Sequence, residues 1–266
     1  MWRLELRCSP QETDFLIADL WDLGAGGIEE TGEGLRAFFE QRPDVTGLAR
    51  YRPALAPELM RDWVAEAREV WQPALVGARF FLVPEWRDDP APAGRLRIEI
   101  NPGLAFGTGA HQTTRLCLEA LERRVRPGMA VLDVGAGSGI LAQAARLLGA
   151  GRVAACDLDP DAVQIARQSI PCFEGSIDAV RSASADLIVA NISAAAIRQL
   201  AFDFRRCLGP DGRLLASGFE AGECPEVDLS LAAAGLKPAG GHGEGKWRLL
   251  EYLLHRNDLD VFSSQV

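Results

Sequence analysis

The chain is short of the features that would assign it at a glance. Its six cysteines (Cys8, Cys117, Cys156, Cys172, Cys207 and Cys224) lie far apart, and no two form a C-x-x-C pair. Neither a zinc knuckle nor a redox dithiol is expected from that spacing. Most of these thiols sit in apolar runs, where cysteine behaves as a small hydrophobe, as suits a reducing compartment. No apolar run approaches the roughly 20 residues that a membrane helix needs. The opening MWRLELRCSP has no apolar leader core and reads directly as a strand, so a cytoplasmic protein is expected. Positive charge is also scarce. The net charge of −9 argues against a dedicated nucleic-acid surface, though it is compatible with a basic protein partner or with solubility alone.

What is present falls into two patterns. Residues 2–7, WRLELR, alternate as a half-buried strand does. Ser9, Pro10 and Glu12 then read as a helix start with Ser9 as N-cap. Short strands are expected near 26–30 and 35–40, a helix over 57–71, and a strand in ARFFLVP, which ends at Pro84. The order βαββαβ is the ferredoxin-like plan. The expected layout is therefore a small α+β domain over 1–88, a linker over 89–100 marked by the Pro/Gly-rich DDPAPAG (88–94), and a second domain over 101–266. In that second part strands alternate with helices: VLDV (131–134), RVAACD (152–157), a weak strand within 170–180, DLIVAN (186–191) and RLLAS (213–217). The class is α/β with a mostly parallel sheet covered on both faces. The tail GHGEGKWRLLEYLLH reads as a turn into one long antiparallel strand at the sheet edge.

The chemistry begins at VLDVGAGSG, where Gly135, Gly137 and Gly139 follow a buried strand and open a helix. Glycines allow a tight turn and close approach of a ligand, and the helix amides point at it. Asp157 ends the next strand, where an acid binds paired ribose hydroxyls. Loop and acid together imply a nucleoside-containing cofactor; the plain alternative is a strand-to-helix turn with a capping aspartate. The spacing G-x-G-x-G is not the G-x-G-x-x-G of dinucleotide sites. Asp133, just before the loop, is placed to reach a cationic ligand directly or through water. S-adenosylmethionine has a sulfonium and an ammonium and no pyrophosphate, and D-x-G-x-G-x-G resembles the first motif of class I methyltransferases. Asn191 ends the strand DLIVAN at the edge where ligands of such sheets bind. It offers one acceptor and one donor there, or else serves only as a turn or cap residue.

The segment NPGLAFGTGAHQTT (101–114), followed by VLDVGAGSGIL, ACDLDP and DLIVANI, closely resembles the ribosomal protein L11 methyltransferase family. The likeness runs motif by motif over about 95–220. Where amino-group methyltransferases often carry Asn-Pro-Pro-Tyr, this chain has Asn191-Ile192-Ser193-Ala194. The resemblance implies a class I Rossmann-like fold behind the small ferredoxin-like domain. It also implies protein N-methylation from S-adenosylmethionine, on lysines and the N-terminal amine of ribosomal protein L11, free or on the large subunit. The N-terminal domain would hold that substrate. By position, the family's cofactor-binding threonine falls on Thr114, with Thr113 beside it. The glycine, acid and asparagine fall on Gly135, Asp157 and Asn191, and Asn191 is the expected catalytic residue. Phe106 is expected to cover the cofactor and Thr108 to supply a hydroxyl. Gly103, Gly107 and Gly109 fit a loop folded tightly over it. Asp133, Gly137 and Gly139 complete the expected set. His111 reads as a brace for the loop. Ile177 and Asp178 are no more than candidates for the adenine wall, and no metal is implied.

Three rivals remain at this level. One is a same-fold methyltransferase acting on another protein, such as an electron-transfer flavoprotein subunit. Another is an NAD-dependent oxidoreductase, which the glycine spacing and Asp133 oppose. The third is a non-catalytic ribosome-binding protein, opposed by the intact Gly135, Gly137, Asp157 and Asn191. The N-terminal aromatics Trp2, Phe38, Phe39, Phe80 and Phe81 read as core rather than as an RNA platform.

Overall fold

A computed structural model of the protein describes residues 2–9, 12–31, 34–39, 41–57, 72–100 and 111–255. The chain divides into two compact units, Met1–Glu66 and Ala67–Val266.

In the first unit, β1 (Trp2–Arg7), α1 (Thr13–Asp22), β2 (Gly27–Thr31) and β3 (Gly34–Phe39) precede a short 3-10 helix at Thr46–Tyr51 and β4 (Ala54–Pro57). The strand order is β2-β3-β1-β4, with every neighbouring pair antiparallel. Side chains alternate across this sheet, as the two-residue strand period requires. Leu4, Leu6, Leu35, Ala37 and Phe39 bury with Leu16 and Leu20 of α1. On the other face Arg36 pairs with Glu5 and with Glu29, each at 3.3 Å. The strand order is that of a ferredoxin-like sheet, but its fourth strand is Ala54–Pro57 and not the expected ARFFLVP. The helix expected over 57–71 lies outside the described residues apart from Pro57, which ends β4. At α1 the capping roles are also reversed: the Ser9 hydroxyl donates to the Glu12 carboxylate at 2.6 Å, and Glu12 stands at the N-cap.

The second unit opens with β5 (Ala74–Val76), β6 (Phe80–Pro84) and β7 (Leu96–Ile100), a separate sheet in which β6 and β7 run parallel. This corrects the expected linker over 89–100. DDPAPAG is a loop between two strands of one sheet, tied down by Arg97, whose guanidinium donates to the Arg87 and Asp89 carbonyls at 2.7 and 3.3 Å. The apolar side chains explain the placement. Phe80, Leu82, Ile98 and Ile100 bury against Leu116 and Leu121 of α2 (Gln112–Arg124) and Ile140 and Leu141 of α3 (Ile140–Leu147). Glu122 of α2 also accepts the Ala78 and Arg79 amides, at 3.0 and 2.7 Å, holding the β5–β6 turn.

The large sheet comprises β8 (Ala130–Val134), β9 (Arg152–Asp157), β10 (Cys172–Glu174), β11 (Ala185–Asn191), β12 (Leu208–Glu220), β13 (Lys237–Glu244) and β14 (Trp247–Leu253). Its order is β10-β9-β8-β11-β12-β14-β13. The first five are parallel to one another, and β14 is antiparallel to both β12 and β13. The remaining helices are α4 (Pro160–Ala166), α5 (Ala194–Gln199), α6 (Ala201–Cys207) and α7 (Cys224–Ala233). Alternate residues feed two cores. Val131, Leu187, Val189 and Leu215 face α2 and α3, while Leu132, Ile188 and Leu214 share a core with Phe204 of α6 and Val227 of α7. This is the doubly wound arrangement expected from the alternation of strands and helices.

The tail departs from expectation. It is a hairpin, and β14 lies inside the sheet while β13 forms the edge. Leu249 and Tyr252 of β14 are fully buried and need cover on both sides, whereas glycine-rich β13 is half exposed. No helix among the described residues is long and apolar enough to cross a membrane.

Candidate functional site

The winding reverses between β8 and β11, and in open α/β sheets that reversal leaves a crevice at the strands' carboxyl ends. A cavity of about 290 Å³ occupies it, lined by Thr114, Gly135, Gly137, Asp157, Asn191 and Ile192, with Ala196 and Leu200. Four elements thus deliver the four residues picked out by family position.

The glycine turn is built for close approach. Gly135, Gly137 and Gly139 have φ of +73°, +53° and +77°, a region that other residues enter at a cost. A Cβ on Gly135 would stand 2.2 Å from Ile192 Cγ2. Gly139 does something different from what was expected: it is buried as the N-cap of α3 and does not line the cavity. A Cβ there would meet Ala166 Cβ at 3.1 Å, so this glycine lets α3 pack on α4.

Asp157 holds the turn as well as facing the cavity. Its Oδ2 accepts the Gly137 amide at 2.8 Å and its Oδ1 accepts the Asp159 amide at 3.0 Å. Each carboxylate oxygen retains a lone pair, enough to accept from two ligand hydroxyls.

Asp133 is fully buried behind the turn and is not among the lining residues, so its position offers a ligand no direct contact. Its Oδ2 accepts the Ala142 amide of α3 at 2.9 Å, while its Oδ1 is buried with no hydrogen-bond partner among the described residues. Burial pushes this carboxyl up to about 7; the Asp157 charge adds to the rise and the Ala142 bond opposes it.

The two threonines have separate roles. Thr114 is buried, lines the cavity and accepts from Asn191 Nδ2 at 3.5 Å. Asn191 Oδ1 is buried with no partner among the described residues. Thr113 turns away from the cavity. His111 is the N-cap of α2, its Nδ1 accepting the Thr113 amide at 3.3 Å and lying 2.8 Å from the Thr113 hydroxyl. A nitrogen that accepts the amide carries no proton, so the hydroxyl donates to it. The Trp247 ring stands edge-on to His111 at 4.7 Å. His111 thus caps α2 together with Thr113, and neither is among the residues lining the cavity. Phe106 and Thr108, with Gly103, Gly107 and Gly109, lie outside the described residues.

Sequence reasoning missed part of the wall. Leu158, Gly175 and Ser176 line the cavity, while the expected Ile177 and Asp178 do not. Ile177 is buried in the core below and Asp178 is exposed. The strand β10 is only three residues long, so the turn after it reaches the cavity before the chain dives inward. A usable signal was Leu158, an apolar residue immediately after the acid, which the structure leaves 76% exposed. Hydroxyl acceptors at Asp157, a glycine turn along the cavity wall and a buried carbonyl acceptor at Asn191 fit a nucleoside ligand such as S-adenosylmethionine.

Comparison with known proteins agrees with the motif reading. The sequence profile of the family described as ribosomal protein L11 methyltransferase (PrmA) matches residues 48–251. The chain is similar to the ribosomal protein L11 methyltransferase of Symbiobacterium thermophilum, 38% identical over 246 residues, covering 90% of this chain and 81% of that protein. Its counterpart in Desulfitobacterium hafniense is 35% identical over 245 residues, covering 87% and 76%. The crystal structure of ribosomal protein L11 methylase from Lactobacillus delbrueckii subsp. bulgaricus superposes with a TM-score of 0.64 at 32% identity, covering 70% of this chain and all (100%) of that one.

Proposed function

The chain belongs to the ribosomal protein L11 methyltransferase family, and from that premise we propose that it transfers methyl groups from S-adenosylmethionine to amino groups of ribosomal protein L11. Lysine side chains and the N-terminal amine are the acceptors. The observation that carries this reading is Asn191: its buried, unpartnered carbonyl oxygen stands at the carboxyl edge of the sheet beside the cavity.

Bound in that cavity, S-adenosylmethionine supplies a methyl carbon activated by a sulfonium leaving group. The protein's part is to bind, align and exclude water. Asp157 accepts the ribose hydroxyls, and the turn at Gly135–Gly137 lets the backbone touch the ligand. Asn191 Oδ1 accepts an N–H of the incoming amine, which turns the nitrogen lone pair toward the methyl carbon. A lysine amine is mostly protonated near neutral pH, its ordinary pKa being about 10.4. The apolar wall of Ile192, Ala196 and Leu200 favours the neutral, attacking form. Asp157 is committed to two backbone amides and is a poor general base. Loss of the proton to solvent before binding, followed by alignment of the reacting atoms, accounts for the reaction. The first unit serves as the holder of the substrate protein, L11 is met free or on the large subunit, and the enzyme works in the cytoplasm.

Intact-mass spectrometry of purified L11 after incubation with the enzyme and S-adenosylmethionine tests this. Methyl-sized mass steps are expected from the wild type. The Gly135→Arg variant, whose side chain would fill the turn, is expected to give none and to show no calorimetric binding of the cofactor. Unchanged L11 with a wild type that binds cofactor would move the substrate to another protein.

A further inference from the structure

Building on the reading of Asn191 as the group that orients the amine, we propose that Gly218 is a positioning residue for methyl transfer. Three observations converge on it. First, β12 and β14 slip register here: Ser217 faces Leu249 and Phe219 faces Arg248, leaving Gly218 as the extra residue of a β-bulge. Bulges beside active sites commonly re-aim a neighbouring group. Second, Gly218 has φ of +98°, which a side chain would strain. Third, a Cβ on it would lie 2.3 Å from the Ile192 carbonyl oxygen and 2.7 Å from the Ile192 nitrogen. Those are backbone atoms and cannot swing aside.

The residue it presses on is the one following Asn191. The Ile192 amide donates to the Ser217 carbonyl at 3.0 Å, so the end of β12 holds this peptide by a hydrogen bond and by direct contact. From the other side, Gly135 leaves room for Ile192 Cγ2. The backbone that carries Asn191 is thus seated between β8 and β12. Gly218 itself does not line the cavity. Adding a methyl group there displaces the asparagine without filling the ligand's space.

The test compares Gly218→Ala with Gly240→Ala in the full chain. Gly240 borders another bulge of the same sheet, has φ of +133°, and its Cβ would meet no atom within 4 Å. It therefore carries the backbone strain alone. On L11, Gly218→Ala is expected to lose roughly 10²-fold in kcat, the scale of a displaced reacting group. Its KM for S-adenosylmethionine is expected to stay within about threefold. Gly240→Ala is expected to lose thermal stability and keep its kcat. Should Gly218→Ala not fold, Ser217→Ala takes its place. It removes the 2.8 Å bond from Ser217 Oγ to the Arg248 carbonyl and loosens the bulge, and a several-fold fall in kcat is expected. A Gly218→Ala enzyme with wild-type kcat, a Ser217→Ala enzyme with wild-type kcat in the substitute test, or a loss confined to KM would overturn the proposal. Failure of the L11 reading would show in the wild-type rate itself, whereas failure of this one shows only in the variant's ratio to it.

Discussion

Asp133 lies wholly inside the protein, yet it is an acid. Its folded pKa is raised by burial from the usual 3.8 to about 7. The folded state therefore keeps a proton that the unfolded chain has released, and stability falls as pH rises between those two values. Asp133→Asn keeps the shape and removes the titration. The stability-versus-pH curve of that variant, followed by thermal unfolding from pH 4 to 7, is expected to be flatter than that of the wild type. An unchanged slope would mean that another group carries the dependence. The acid's presence next to the glycines was plain in the sequence, but its depth was not. Burial depends on α3 closing over the strand, and the motif is the same whether an acid points forward or back. Gly135, Asp157 and Asn191 were legible because each ends or directly follows a strand at one sheet edge, and Thr114 because the family resemblance pointed to it. Gly218 was not, since only the pairing of β12 with β14 makes it a bulge.

At the scale of elements, α2 carries Thr114 to the cavity and its start depends on His111. Removing an N-cap costs about 1 kcal/mol, while Asn caps well. His111→Ala is expected to lower unfolding stability by about that amount, and His111→Asn to restore most of it. Methyl transfer by His111→Asn at wild-type kcat would confirm a brace; a collapse of kcat with stability intact would make the imidazole part of the chemistry. Helix starts at Ser193 and Asp159 are similarly readable, since both side chains accept amides of their own first turns, at 3.3 and 2.9 Å. The order of the last two strands was not. A glycine-rich run reads as a turn until it is seen paired along its length with Trp247–Leu253.

At the scale of the whole molecule, the sequence suggested a boundary near residue 88 because proline and glycine mark linkers and surface loops alike. The division falls instead between Glu66 and Ala67. The physical difference is the apolar surface of β6 and β7, which belongs to the core of the second unit. A chain starting at residue 67 is accordingly expected to fold and bind S-adenosylmethionine by calorimetry. One starting at 101 exposes Leu116, Leu121, Ile140 and Leu141 and is expected to aggregate or to melt many degrees lower. Equal stability of the two fragments would refute this account of the core.

The place of β14 also bears on how the protein comes into being. This interior strand follows every other described strand in the chain, so on the synthesising ribosome it emerges after all the neighbours that it joins. Until then β12 presents an open edge to the cell, and the bulge at Gly218 has no partner to form against. A nascent enzyme with its glycine loop, acid and asparagine already made would still lack the frame that seats the asparagine. Activity would be switched on by the arrival of one late segment, and a chain stopped before Trp247 would be silent with Thr114, Gly135, Asp157 and Asn191 all in place.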